Sequence, residues 1–215
     1  APSAAAPAVA ATTSAEAAQD DEEYDDSMLG AADSAGNNCL HLAAFHGRLD
    51  ALRWLLARGK PRPTAPNADG LTALHFAAAR GEMGTLRLLL EWHHQETGTG
   101  IDAATSSGMT ALHKAVQAGC TDAATELLAA GASAQAGAGS AGFTAYHYAA
   151  LAGKHSTLAA LFDSADGASI DIPCVDGRTP LHLAASAGQE ETVEFLLGRG
   201  ASVAQVDDKG RAMLH

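Results

Sequence analysis

A Leu-His or Tyr-His pair recurs six times along this 215-residue chain, at Leu40-His41, Leu74-His75, Leu112-His113, Tyr146-His147, Leu181-His182 and Leu214-His215. Successive histidines are 34, 38, 34, 35 and 33 residues apart. Self-similarity at such a period means one supersecondary unit copied end to end, and a unit this small buries its apolar face only against its neighbours. The expected product is an elongated stack. The uneven spacings point to insertions of about five residues around His93–Gly100 and about two around Asp163–Asp166.

The unit can be read from its residues. A typical stretch is Gly70-Leu71-Thr72-Ala73-Leu74-His75-Phe76-Ala77-Ala78, and another is Gly177-Arg178-Thr179-Pro180-Leu181-His182-Leu183-Ala184-Ala185. Thr72, Thr110, Thr144 and Thr179 stand where a side chain can cap a first helix, and Pro180 takes the first helical position, where its missing N–H costs nothing. Gly47, Gly81, Gly119, Gly153 and Gly188 follow that helix as left-handed terminators. A second amphipathic stretch carries Leu55-Leu56, Leu88-Leu89, Leu127-Leu128 or Leu196-Leu197, expected to fill the space between repeats. Alanine makes up about a quarter of the chain and aromatics only 5%, which favours closely packed helices over pleated strands.

This pattern resembles the ankyrin repeat, with its period near 33 and its T-P-L-H-x-A signature. The resemblance covers residues 33–215 and implies an all-α ankyrin solenoid of stacked helix-turn-helix units joined by hairpin loops. The repeats run over about 33–66, 67–104, 105–138, 139–173 and 174–206, with a partial sixth at 207–215. The first departs from the signature with Asn38-Cys39, the fourth with Tyr146, and the sixth stops at His215 inside its first helix, so continuation beyond it is expected. The resemblance also implies that His41, His75, His113, His147, His182 and His215 bridge successive repeats by hydrogen bonds.

Residues 1–32 differ in kind. They are rich in Ala, Pro, Ser and Thr, then acidic, with Asp20, Asp21, Glu22, Glu23, Asp25 and Asp26 around Tyr24. Two readings stay open: a solvating tail, or an acidic docking motif centred on Tyr24. With no base before Arg48 the segment is neither a secretory signal nor a transit peptide, and the missing initiator Met suggests processing. The net charge of −12 argues against nucleic acid and anionic membrane as partners, and no apolar run is long enough for a membrane span. Cys39, Cys120 and Cys174 are odd in number and far apart, as expected of free thiols in a reducing, intracellular and most simply cytoplasmic setting; an organelle or cytoskeletal assembly is the other placement.

No catalytic residue, metal site, cofactor or small-molecule substrate is expected. The six motif histidines lie one per repeat and do not converge. His93-His94 falls in the longest insertion, read as a solvated loop with no strong ligand spacing. Gly137-Ala138-Gly139-Ser140-Ala141-Gly142 fits G-x-G-x-x-G but follows a helical segment, not a strand, so the dinucleotide-binding context is missing.

What remains is recognition. The finger residue after the repeated glycine is Asn37, Leu71, Met109, Phe143 and Arg178, and the residue after the motif histidine is Leu42, Phe76, Lys114, Tyr148 and Leu183. Leu71, Met109, Phe143, Phe76 and Tyr148, with Arg80, Lys114 and Gln117 at the margin, form the expected partner-binding strip of a concave face. The alternative is that finger side chains pack on the neighbouring finger. If they bind, the fold should tolerate a charge at Phe143. The expected function is a non-enzymatic scaffold or adaptor holding protein partners in a heteromeric complex. The alternatives are a targeting or regulatory segment of a larger enzyme, channel or receptor, and a chaperone or import-docking adaptor.

Overall fold

In a computed structural model, the chain is described over residues 28–59, 61–95, 100–164 and 169–210. The expectations for most of the acidic segment, including Tyr24, for parts of both insertions and for His215 lie outside these residues. A 3-10 turn, Met28–Gly30, is followed by five helix pairs: α1 (Cys39–Phe45) with α2 (Leu49–Ala57), α3 (Ala73–Arg80) with α4 (Met83–Gln95), α5 (Ala111–Ala118) with α6 (Thr121–Ala129), α7 (Ala145–Leu151) with α8 (His155–Ser164), and α9 (Pro180–Ser186) with α10 (Glu190–Gly198). The only bridges outside helices among the described residues are Ala32 to Asn38 and Ala138 to Phe143. No helix among the described residues is long and apolar enough to cross a membrane.

Each helix pair packs on the next. The first helices touch in the order α1, α3, α5, α7, α9, and the second helices in the order α2, α4, α6, α8, α10. The core runs the length of the stack between the two rows. Alanines such as Ala77, Ala78, Ala115, Ala149 and Ala150 let the first helices approach, while Leu52, Leu86, Leu89, Leu127, Leu158, Leu161 and Leu196 fill the space behind them. Of each expected leucine pair one member is fully inside. Leu55, Leu89, Leu127 and Leu196 are buried, Leu56, Leu88 and Leu128 are half-buried, and Leu197 is exposed. Neighbouring residues on a helix diverge by about 100°, so the two members of such a pair meet the core unequally.

Gly81 closes α3 at φ 66°, with its N–H on Ala77 and Ala78, so the left-handed terminator falls where the sequence puts it. Gly70 is constrained twice over. Its φ is 82°, and a Cβ there would stand 2.9 Å from the Thr105 Cα and the Ser106 nitrogen of the next finger.

One expectation is corrected here. The insertion near His93 is not a loop at its start: it lengthens α4 to 13 residues, and His93 is buried against Trp92 and Gly100. His94 is exposed. An imidazole one turn from Leu89 and Leu90 inherits their core-facing side, which a count of inserted residues does not reveal.

Candidate functional site

The motif histidines set the frame on which any site must stand. Thr72, Thr110, Thr144 and Thr179 are the N-caps of α3, α5, α7 and α9, and each donates its backbone N–H to Nδ1 of the histidine three residues on, at 3.1 to 3.2 Å. In α1 Asn38 does the same for His41. Because Nδ1 accepts, the proton sits on Nε2, which donates to a carbonyl of the following finger: Met109 from His75, Phe143 from His113 and Arg178 from His147, at 3.1 to 3.2 Å. His41 and His182 reach Ala65 and Gln205 in the same way. Burial depresses the pKa of His41, His75, His113 and His147, and takes His75 down to about 4. With both ring nitrogens engaged, these five imidazoles brace the joints between repeats, and burial keeps His41, His75, His113 and His147 neutral.

The fingers form a ladder of their own. Ala68, Ser106, Gly139 and Val175 each donate a backbone N–H to the preceding finger, at 2.8 to 3.1 Å. The glycine-rich stretch is one of these fingers. Ala138 and Phe143 exchange both backbone bonds, Gly139 donates to Ser107 and Gly142 donates to Gly139, so these amides are not available to cradle a phosphate. All three cysteines are free, and burial pushes each thiol above its usual pKa, opposite to what a nucleophile needs.

The expected strip is divided. Phe76, Phe45 and Arg80 gather on α1 and α3: the rings meet edge to face at 5.9 Å, and the Arg80 guanidinium lies 5.1 Å above Phe45. Farther along, Phe143 and Tyr148 meet edge to face at 5.9 Å, with Arg178 5.1 Å from the Phe143 ring. Between the two groups stand Lys114, half-buried, and Gln117, exposed. Leu71 is half-buried.

Two members depart from the expectation. Met109 is only 7% exposed. Its N–H is held by the Thr105 hydroxyl and its carbonyl by the Thr105 N–H and His75, and this pinned finger keeps the side chain inside, so Met109 cannot continue an exposed strip. Phe143 is half-buried and stacks on His147 at 5.7 Å, so it packs on the brace that holds its own repeat to the next, and a charge there would disturb that joint.

Other side chains strengthen the face. Leu42 and Phe45, and Leu151 three residues after Tyr148, are exposed apolar groups on the same sides of α1 and α7. Arg178 is held by Asp176 at 2.7 Å, and with Cys174 it keeps the Asp176 carboxyl down at about 2. The signal for Leu42, Phe45 and Leu151 was their phase, one and four residues after the motif histidine. Leu183 in the same phase is 1% exposed, so the face ends there.

Comparison with known proteins agrees with this architecture. A family model described as ankyrin repeats (3 copies) matches residues 40–138 and 135–207. The chain is 33% identical over 162 residues to the nuclear factor NF-kappa-B p105 subunit of Gallus gallus, covering 75% of this chain and 16% of that protein. It is 31% identical over 185 residues to a Caenorhabditis elegans homolog of transient receptor potential cation channel subfamily A member 1, covering 86% of this chain and 14% of that one. To human B-cell lymphoma 3 protein it is 36% identical over 154 residues, covering 70% of this chain and 34% of that one. The chain thus spans between about a seventh and a third of the length of these relatives.

Proposed function

This chain belongs to the ankyrin-repeat family, and we propose that it is a non-catalytic scaffold or adaptor that holds a protein partner against the exposed side of its first helices. The observation that carries this reading is the pair of aromatic and arginine groups, Phe45, Phe76 and Arg80 on one side and Phe143, Tyr148 and Arg178 on the other. Aromatic rings with arginine beside them are the composition of interface centres, and Leu42, Phe45 and Leu151 leave apolar surface in water that a partner would cover. Lys114 and Gln117 between the groups supply polar contacts that fix orientation.

A second reading is supported by the short share of each relative that the chain spans. The module then targets or regulates a larger polypeptide, the matched relatives being a nuclear factor subunit and a cation channel homolog of which it spans a small part. Both readings use the same face. The test is affinity capture with the full chain, partners being identified by mass spectrometry, in parallel with Leu42→Asp/Leu151→Asp, both exposed on that face, and with Glu194→Lys on the outer row. Partners should bind the double variant at least roughly tenfold more weakly, about 1.4 kcal/mol, and bind the control normally. Equal binding to all three would contradict the proposal.

A further inference from the structure

Charge is sorted by row in this acidic chain. The first helices α1, α3, α5, α7 and α9 carry Arg80 and Lys114 and no carboxylate, whereas the second helices carry eight carboxylates against Arg53 and Arg87. The short turns that close the first helices add Arg48 and Lys154, with Glu82 as their only acid. A strip with four bases and one acid therefore runs along a molecule whose formal net charge is −12.

The bases of this strip are unclaimed. Arg48, Arg80, Lys114 and Lys154 pair with no carboxylate among the described residues, whereas Arg87, Arg178 and Arg199 hold Glu126, Asp176 and Asp163. Arg48 and Arg80 are exposed, and Lys114 and Lys154 are half-buried. The Glu82 carboxylate lies against Gly47, one repeat back, and the Lys154 stem lies against Gly119 in the same way. On the fingers, Asp33 accepts from Ala35 and Asn37 and Asp176 holds Arg178, while Asp69 and Asp208 stay exposed.

The same strip is apolar. Leu42 and Phe45 stand beside Phe76 at one end, Tyr148 and Leu151 stand at the other, and Lys114 lies between them. A partner that covers these groups also takes water from Lys114 and Arg80. A neutral surface laid over them would leave two cations desolvated without compensation, so the matching partner brings anions to those two places. A carboxylate meets that demand with a charge-assisted hydrogen bond. A nucleic acid would meet the bases and rings too, but the aliphatic Leu42 and Leu151 give it no stacking platform, and the carboxylates of the outer row repel a long polyanion.

We propose that the partner of this strip is an acidic protein segment with apolar side chains on either side of one or two carboxylates, the carboxylates on Lys114 and Arg80 and the apolar groups on the two aromatic clusters. Such a partner presupposes the protein-binding face proposed above and adds the chemistry of what that face takes. α3 and α7 are two helix spacings apart, about 16–20 Å at roughly 8–10 Å each, which about five or six extended residues cover.

The probe is a fluorescein-labelled peptide amide, Ser-Leu-Leu-Gly-Glu-Glu-Gly-Leu-Leu-Ser, compared by anisotropy on the full chain with the same peptide carrying Gln-Gln or Lys-Lys in place of Glu-Glu. At about 50 mM salt the acidic peptide should bind at least about fivefold more tightly than the Gln peptide and the Lys peptide more weakly than either, and the differences should shrink near 0.5 M. Lys114→Glu should remove the acidic peptide's advantage. Arg53→Glu, the same change of charge on the exposed side of α2, should keep it. Equal binding of the three peptides, or binding of none, would overturn the proposal, as would loss of the preference in Arg53→Glu as complete as in Lys114→Glu. Tighter binding of a single-stranded oligothymidylate of about twelve nucleotides than of the acidic peptide would overturn it in favour of a nucleic acid. Where the peptides fail to discriminate but Leu42→Asp/Leu151→Asp still loses captured partners, the face stands and its preference for acid falls; where that variant keeps its partners, the face falls as well.

Discussion

The neutral imidazoles of His41, His75, His113 and His147, buried at four successive joints, make this stack sensitive to acid. An unfolded histidine titrates near 6.5, whereas burial holds His75 at about 4 in the folded chain. Between those values the unfolded chain takes up a proton that the folded chain refuses, so stability is full above pH 6.5 and falls as pH drops towards 4. His75 alone accounts for a loss on the order of 3 kcal/mol by pH 4, and His41, His113 and His147 shift in the same direction. Urea unfolding as a function of pH should show the midpoint falling through this window, and a flat profile from pH 7 to 4.5 would contradict the bracing role. Tyr146 gives a second prediction at this scale. It fills the leucine position of its repeat, fully buried beside Phe162, and its hydroxyl has no hydrogen-bond partner among the described residues. Tyr146→Phe should therefore leave stability unchanged or raise it by about 1 kcal/mol, and a loss of that size in thermal unfolding would show that the hydroxyl is satisfied after all. The histidine and threonine positions were legible because the cap and the bridge demand fixed residues at fixed spacing. Met109 was not: a finger residue is exposed or buried according to where its neighbours pin the backbone, and that is a property of two repeats together.

At the scale of the helix, the second row decides stability. Leu127 of α6 is fully buried, while Leu197 of α10 is 39% exposed. Leu127→Ala should cost roughly 2–5 kcal/mol by leaving a cavity between repeats, and Leu197→Ala about 0.5 kcal/mol or less, as read from denaturant midpoints. Similar costs would mean that α10 is covered by something beyond the residues described. The leucine pairs were visible in the sequence, but which member faces inward depends on helix phase set by the repeats on either side. The same holds for α4, where the inserted residues continue the helix and carry His93 into the core.

For the whole molecule, a period of 33 to 38 residues was enough to expect a linear stack, because repetition at that length leaves each unit only its neighbours to pack against. The proposed recognition face was only partly legible. Phe76 and Tyr148 were singled out as the residues after the motif histidine and Arg80 as the residue before the helix-ending glycine, whereas the split into two aromatic groups follows from Met109 turning inward and Phe143 stacking on His147. The most direct test of the binding face replaces Phe76, Tyr148 or, as a control, Glu194 with a photoactivatable phenylalanine in the full chain, followed by irradiation with its captured partner. Positions 76 and 148 should give covalent adducts with that partner and position 194 should not; adducts from 194 alone would move the interface to the outer helices and contradict the assignment.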